Sequence, residues 1–306
     1  MRIFKGFDEV NGIRNPVVTT GSFDGVHIGH KTILNRLKML AEKYNGESVL
    51  ITFHPHPRKV LYPDTAGKNL RLINSQEEKL ELLRKAGLDN VIIVEFTREF
   101  SRVTSEQFVS EYLCKILKSR VIVVGFNHHF GFNQEGDYKH LWNWRQKYNF
   151  EAEEIPEQEV QHETVSSTKI RKAISEGYIQ RANAYLDHYY LIIGIPEGCL
   201  LHDAPFLKGF LCLPVTEGSK LLPSPGIYAV SVITGETGSK AMALIFQKPG
   251  EQSDVMLSIF ENQEFFTGEK CSVLFHKKIH GEVLLSDPGV GSRIDMAKNE
   301  ISDLIF

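Results

Sequence analysis

The chain has 306 residues and a formal net charge of −3, long enough for two cores and without the polycationic surface that nucleic-acid binding needs. No apolar run approaches the ~20 residues of a membrane span, and the opening Met1-Arg-Ile-Phe-Lys-Gly6 lacks the apolar core of a signal peptide. Cys114, Cys199, Cys212 and Cys271 show no metal-binding spacing, and Cys114, among Leu113, Ile116 and Leu117, reads as a small packed hydrophobe. The expectation is a cytoplasmic protein with no membrane or nucleic-acid partner.

Val17-Val18 reads as the end of a short buried strand, and after Lys31 the residues Ile33, Leu34, Leu37, Leu40 and Ala41 fall at helical spacing. Between them runs Gly21-Ser-Phe-Asp-Gly-Val-His-Ile-Gly-His30. A strand-to-helix turn carries orphan N–H groups and the positive end of a helix dipole, a ready anion site. Gly21, Gly25 and Gly29 let the backbone approach a ligand closely. His27 and His30, three apart, share a face. Imidazole donors beside a phosphate pocket suit nucleotidyl transfer, where charge builds on phosphoryl oxygens. The competing readings are helix capping by the two histidines, or a metal site, for which no Cys-x-x-Cys is at hand.

Apolar runs recur at Val49–Phe53, Val91–Phe96 and Val121–Phe126, alternating with helical patterns over 76–86 and 105–118. Two helix starts carry capping boxes, Ser75 with Glu78 and Thr104 with Gln107. This alternation predicts a parallel sheet with helices on both faces. Ligands of such sheets bind beyond the carboxyl ends of the strands, which places His27, His54 and Asn127 on one edge.

Thr52-Phe-His-Pro-His-Pro-Arg58 follows the second strand as a proline-stiffened loop. Its His56 and Arg58 face either the ligand edge or solvent. Gly125-Phe-Asn-His-His-Phe-Gly131 follows the strand at 121–124. Trp142 and Trp144 read as helix packing, and the acidic run from Glu151 as an exposed strand. Ser166-Ser-Thr-Lys-Ile-Arg171 reads as a helix start, where Ser166, Ser167 and Thr168 cap backbone N–H groups or bind phosphate and Arg171 offers a planar fork.

Near residue 190 the texture changes. Pro196, Pro205, Pro214, Pro223 and Pro225 defeat helix. Short apolar runs at 227–233, 241–246, 255–260, 271–275 and 283–285 then predict a small β-barrel or sandwich. A helix over 292–306 closes the chain, with Ile294, Ala297, Ile301 and Leu304 on one face.

The first motif, with Thr52–Arg58, Glu78-Lys79 and Gly87, Val124–Gly131 and Ser166–Arg171 in order, resembles the prokaryotic bifunctional riboflavin kinase/FAD synthetases, over about residues 1–190. The resemblance implies a Rossmann-like α/β nucleotidylyltransferase domain at 1–187 and a small flavokinase-like β-barrel at 188–306. It implies FMN adenylyltransferase activity, with ATP and FMN as substrates and Mg²⁺ bound through their phosphates rather than at a dedicated protein metal site. His27, His30, Asn127 and Arg171 would be catalytic. Gly21, Ser22, Phe23, Asp24, Gly25, His56, Arg58, Gly125, Ser166, Ser167 and Thr168 would bind substrate.

The chain also departs from the family. His128-His129 stand where Phe-Arg is common, and Phe132 where a basic residue is frequent. Pro205–Pro214 lacks the kinase motif's Thr and Asn, leaving Lys208 and Asp203 as its nearest charges, and Met256 aligns with the family's catalytic Glu. A thioether cannot act as a general base, so the carboxyl half reads as a degenerate kinase. Three rivals stay open: a fully bifunctional enzyme that also takes riboflavin, transfer to another phosphorylated acceptor, and a non-catalytic flavin- or nucleotide-binding paralogue.

Overall fold

The computed structural model describes residues 1–156, 159–160, 163–198, 205–246, 254–261, 263–283, 287 and 289–304. They form two compact units, Met1–Leu70 with Lys79–Val165, and Arg71–Glu78 with Ser166–Phe306.

The first unit is built on strands β1 (Arg2–Lys5), β2 (Val17–Thr20), β3 (Ser48–His54), β4 (Asn90–Glu95), β5 (Val121–Gly125) and β6 (Glu151–Ile155). They pair in parallel in the order β1-β4-β3-β2-β5-β6. The apolar runs are continuous because both faces are covered, and successive residues divide between two cores. Val18, Val49, Ile51, Ile92, Ile122 and Val124 enter one, and Val17, Leu50, Val91, Val121 and Val123 the other. Helix α1 (Ile28–Lys43) covers the second face with Leu34, Leu37, Leu40 and Ala41. Leu83 of α3 (Gln76–Lys85) joins it, while α2 (Pro57–Leu61) is a short helix after β3. The first face is covered by α4 (Ser105–Gln107), which continues as a π-helix through Ile116, and by α5 (Tyr138–Tyr148).

Both capping boxes form: Ser75 and Glu78 exchange backbone–side-chain bonds, as do Thr104 and Gln107. Cys114 packs at the margin of the core, where burial pushes its thiol up to about 11. Trp144 packs there too, but Trp142 is 46% exposed under the Arg145 guanidinium. The tryptophan pair is thus divided by helix phase. The acidic strand β6 is the sheet edge, and a two-residue ribbon, β7 (Glu159–Val160) with β8 (Glu163–Thr164), follows. Strand order reverses between β2 and β5, the topological switch point where open α/β sheets bind ligands.

The second unit begins with α6 (Ser167–Ser175) and α7 (Ile179–Leu186). Its antiparallel sheet contains β9 (Tyr190–Gly194), β10 (Glu197–Gly198), β11 (Leu211–Leu213), β12 (Gly226–Thr234), β13 (Thr237–Phe246), β14 (Asp254–Ile259) and β15 (Cys271–His280), in the order β10-β11-β14-β13-β12-β15-β9. Two register shifts between β12 and β15 help curl it into a half-barrel. Helix α9 (Val290–Asp303) fills the concavity with Val290, Ile294, Ala297 and Ile301, and α8 (Gln263–Phe266) is a single turn. Of the expected apolar run at 283–285, Val283 is buried and the rest lies outside the described residues.

The compact units part between Val165 and Ser166, whereas the family resemblance implies domains that meet at 187/188. The reason is local: Asn183 of α7 donates to the Phe275 carbonyl and accepts from the Tyr190 N–H, tying α7 to β15 and β9. Cys114 and Cys271 are free thiols, and Cys212 is disulfide-bonded.

Candidate active site

The turn after β2 continues the sheet ladder for one residue, Gly21 N–H donating to the Ile51 carbonyl at 3.0 Å. It then enters a strained stretch: Phe23 (φ 49°), Gly25 (φ 93°) and Val26 (φ 41°). Left-handed backbone is ordinary for glycine but an outlier for bulky or β-branched residues, and such strain gathers at functional sites. Burial holds it in place, since Phe23 and Val26 are core residues at 2% and 1% exposure. Asp24 is buried in the same turn.

His27 is the N-cap residue of α1, with no side-chain bond to the helix. Its ring stacks on His30 at 3.7 Å, and His30 stacks on Phe23 at 4.4 Å. The two histidines therefore lie on one face, above the uncapped N-terminal turn of α1. Burial, then the His27 and Lys79 charges, hold His30 well below the usual imidazole range. Its Nδ1 is enclosed with no hydrogen-bond partner among the described residues. The arrangement places two stacked imidazoles at a helix N-terminus, where backbone N–H groups and the helix dipole favour an anion.

Lys79 stood in the sequence only within the Glu78-Lys79 motif, with no role assigned, yet it packs against the turn here. It is 7% exposed, and its Nζ donates to Thr52 Oγ1 at 3.1 Å and to the Ser22 carbonyl at 3.4 Å. The signal was its spacing of four from Leu83, which places both on the buried face of α3.

Beyond the strand ends lies a cavity of about 680 Å³. Its floor includes Thr20, the residue before Gly21, and its walls are aromatic: Phe53, Phe96, Phe100, Phe108 and Phe130. Asn127 to Gln134 form one side, with Asn127 (φ 56°) at the tip of the loop after β5. Gly131 has φ 78°, and a Cβ there would stand 2.5 Å from the Ser105 backbone, so only glycine lets this wall close on α4. His128 lines the cavity with its Nε2 enclosed and no hydrogen-bond partner among the described residues, and burial pushes it down to about 4. Phe132 is also in the wall and is exposed.

The structure thus brings together Gly21, Ser22, Phe23, Asp24, Gly25, His27 and His30 in the turn, and Asn127 after Gly125 on the neighbouring strand. His56 is engaged locally, its Nδ1 accepting from Arg58 N–H at 3.2 Å to cap α2, and Arg58 is exposed. Pro57 and Leu61 of α2 line the cavity instead. Ser166 caps α6 by accepting from the Lys169 N–H, Ser167 and Arg171 are half-buried, and Thr168 is exposed. In the second unit Met256 is fully buried, packed with Met242, Leu244, Phe246 and Ile294. Leu207, Phe210, Leu211 and Leu213 of the Pro205–Pro214 segment are buried too. Lys208 is exposed, and Asp203 lies outside the described residues.

The FAD synthetase family model matches residues 11–169, more than half of the chain and nearly all of the site just described. The chain belongs to the FAD synthetase family. It is accordingly a nucleotidyltransferase. Among its relatives is the bifunctional riboflavin kinase/FMN adenylyltransferase of Listeria monocytogenes, 31% identical over 272 residues, 88% of this chain and 81% of that protein. The protein of the same name from Escherichia coli K12 is 29% identical, over 87% of this chain and 85% of its own. That from Bacillus subtilis is 28% identical, over 87% and 84%. The crystal structure of a macrolide-efflux protein from Streptococcus pneumoniae shares the fold, with a TM-score of 0.86, 22% identity and 99% of each chain covered. No helix among the described residues is long and apolar enough to cross a membrane.

Proposed function

We propose that the chain transfers the adenylyl group of ATP to FMN, giving FAD and pyrophosphate, and that it makes little or no FMN from riboflavin. The observation that carries the first part is the pairing of a phosphate-type turn with an aromatic cavity at one switch point. The turn suits a polyanion, and six phenylalanine rings around about 680 Å³ suit a flat heterocycle.

In this reading an FMN phosphate oxygen attacks the α-phosphorus of ATP, and the bond to the pyrophosphate oxygen breaks. The nucleophile is already anionic at neutral pH, so no general base is required. Catalysis rests on in-line positioning and on donors to developing charge. His27 and His30 meet that charge. Gly21, Ser22, Phe23, Asp24 and Gly25 seat the nucleotide, and Asn127 orients the flavin phosphate. Ser167, Thr168 and Arg171 hold the β- and γ-phosphates, on the strength of the family motif. Mg²⁺, a hard cation, would be carried largely by the substrate phosphates. Asn127 offers it an amide oxygen. When bound, the ion neutralises phosphate charge.

Loss of the kinase reaction rests on Met256. The side chain aligned with a catalytic carboxylate is part of an apolar core, where a charged group would be costly to bury. The relatives' bifunctionality favours the second reading, in which 188–306 still phosphorylates riboflavin and 1–187 completes the synthesis. Incubation with ATP, Mg²⁺ and either flavin, with products separated by chromatography, decides between them. FAD from FMN and no FMN from riboflavin supports the proposal. An unchanged FMN sample overturns it.

A further inference from the structure

We propose that Lys79 is a positioning residue for this transfer, holding the strained turn that carries His27 and His30 through its bonds to Thr52 and the Ser22 carbonyl. The inference rests on the adenylyl-transfer reading and adds a residue to its machinery. Burying a lysine is costly unless the ammonium is satisfied and its position matters. Here Lys79 is 7% exposed, in a helix whose other long basic side chains, Arg84 and Lys85, reach solvent.

The bonding pattern shows what the buried ammonium does. The Ser22 carbonyl accepts from Lys79 Nζ at 3.4 Å and from Thr52 Oγ1 at 3.3 Å, and Thr52 Oγ1 itself accepts from Lys79 at 3.1 Å. This closed triangle fixes the peptide immediately before Phe23, the first left-handed residue of the turn. Phe23 then seats the His30 ring and His30 the His27 ring, at 4.4 and 3.7 Å. A change at Lys79 is therefore passed through one carbonyl and two stacking contacts to the groups that meet the phosphates.

The ammonium also acts at a distance. The charged or titratable groups placed against His30 are His27 from its own turn and Lys79 from α3, and both favour the neutral ring alongside its burial. A neutral His30 presents one N–H and one lone pair. Arrival of a polyanion then offsets the Lys79 field and favours proton uptake at the ring.

The test pairs kinetics with a titration that needs no turnover. Lys79→Met keeps chain length but removes donors and charge, and Lys79→Gln keeps a donor without charge. For Lys79→Met, kcat for FAD formation falls about 100-fold, the size typical of a lost preorganised donor. KM for ATP changes less than about threefold, because Lys79 lies behind the turn. The imidazole resonances of His30, assigned with His30→Ala, titrate at higher pH than in the unsubstituted protein, since a cation has been removed. Lys79→Gln shows the same upward shift with a smaller loss of kcat, and serves alone should Lys79→Met fail to fold. An unmoved His30 titration, or a kcat within about twofold of the unsubstituted protein, overturns the proposal. Should the unsubstituted protein make no FAD, the transfer reading falls, and the titration alone then decides the role of Lys79.

Discussion

Lys220 offers the sharpest test of how the second unit is held together. Its side chain is 1% exposed, and its ammonium donates to Glu78 Oε2 at 2.6 Å, the Ile73 carbonyl at 2.7 Å and the Leu191 carbonyl at 2.8 Å. An ammonium has three donors, and all are used. Its Nζ also lies 4.3 Å from the Tyr190 ring centre. Glu78 accepts from the Ser75 and Ile193 N–H groups as well. This cluster ties segment 71–78 to β9 and to the start of the half-barrel. Lys220→Met removes the cation, fills the space with apolar atoms and leaves a buried carboxylate with two donors. Breaking a buried pair from one side costs about 3–5 kcal/mol. A domain of this size loses about 2–4 °C per kcal/mol, so thermal unfolding followed by circular dichroism should drop by roughly 6–20 °C. The double variant Glu78→Leu/Lys220→Met should recover much of that loss, because no lone charge remains buried. A single variant melting within about 2 °C of the unsubstituted protein would refute the reasoning, as would a double variant no better than the single.

His30→Ala should lower FAD formation by about 100-fold or more while leaving the melting temperature within a few degrees, because it removes a donor to developing charge; a matched fall in melting temperature would make the ring structural. Arg171→Lys keeps the charge but loses the planar fork, so turnover or ATP saturation should worsen about tenfold, and unchanged kinetics would place Arg171 outside the phosphate site. Burial pushes His128 and His276 down to about 4 and lowers His30 as well. The unfolded chain therefore takes up protons first, and stability should fall as pH drops from about 6.5 toward 4. A melting temperature that stays level from pH 7 to 5 would contradict this.

Much of the first unit was legible because its signals are local. The β2, β3, β4 and β5 runs are apolar on both faces, and the capping boxes at Ser75 and Thr104 mark helix starts to the residue. His27 and His30 were legible because a helix start puts residues three apart on one face. The aromatic cavity was not, since Phe53, Phe96, Phe100, Phe108 and Phe130 come from separate segments that only the parallel sheet brings together. Lys79 stood in the sequence only as part of the Glu78-Lys79 motif, and its role was not legible because its burial comes from the packing of α3. His56, read as a ligand group, also caps α2 through its Nδ1, a local bond that the sequence did not signal. The parting at 165/166 was hidden because α6 and α7 continue the helical texture of the first half, while Asn183 commits α7 to β9 and β15.

The central claim is adenylyl transfer to FMN without phosphoryl transfer to riboflavin, and isotopic labelling of ATP separates the two by the atoms moved. The protein is incubated with Mg²⁺ and ATP labelled at either the α- or the γ-phosphorus, with FMN or riboflavin as acceptor, and the flavins are isolated. The account predicts α-label in FAD made from FMN, γ-label only in pyrophosphate, and no label in any flavin when riboflavin is the acceptor. Label from γ-ATP in FMN would contradict the degenerate kinase, and FMN recovered as the sole flavin, with no α-labelled FAD formed, would contradict the adenylyl transfer itself.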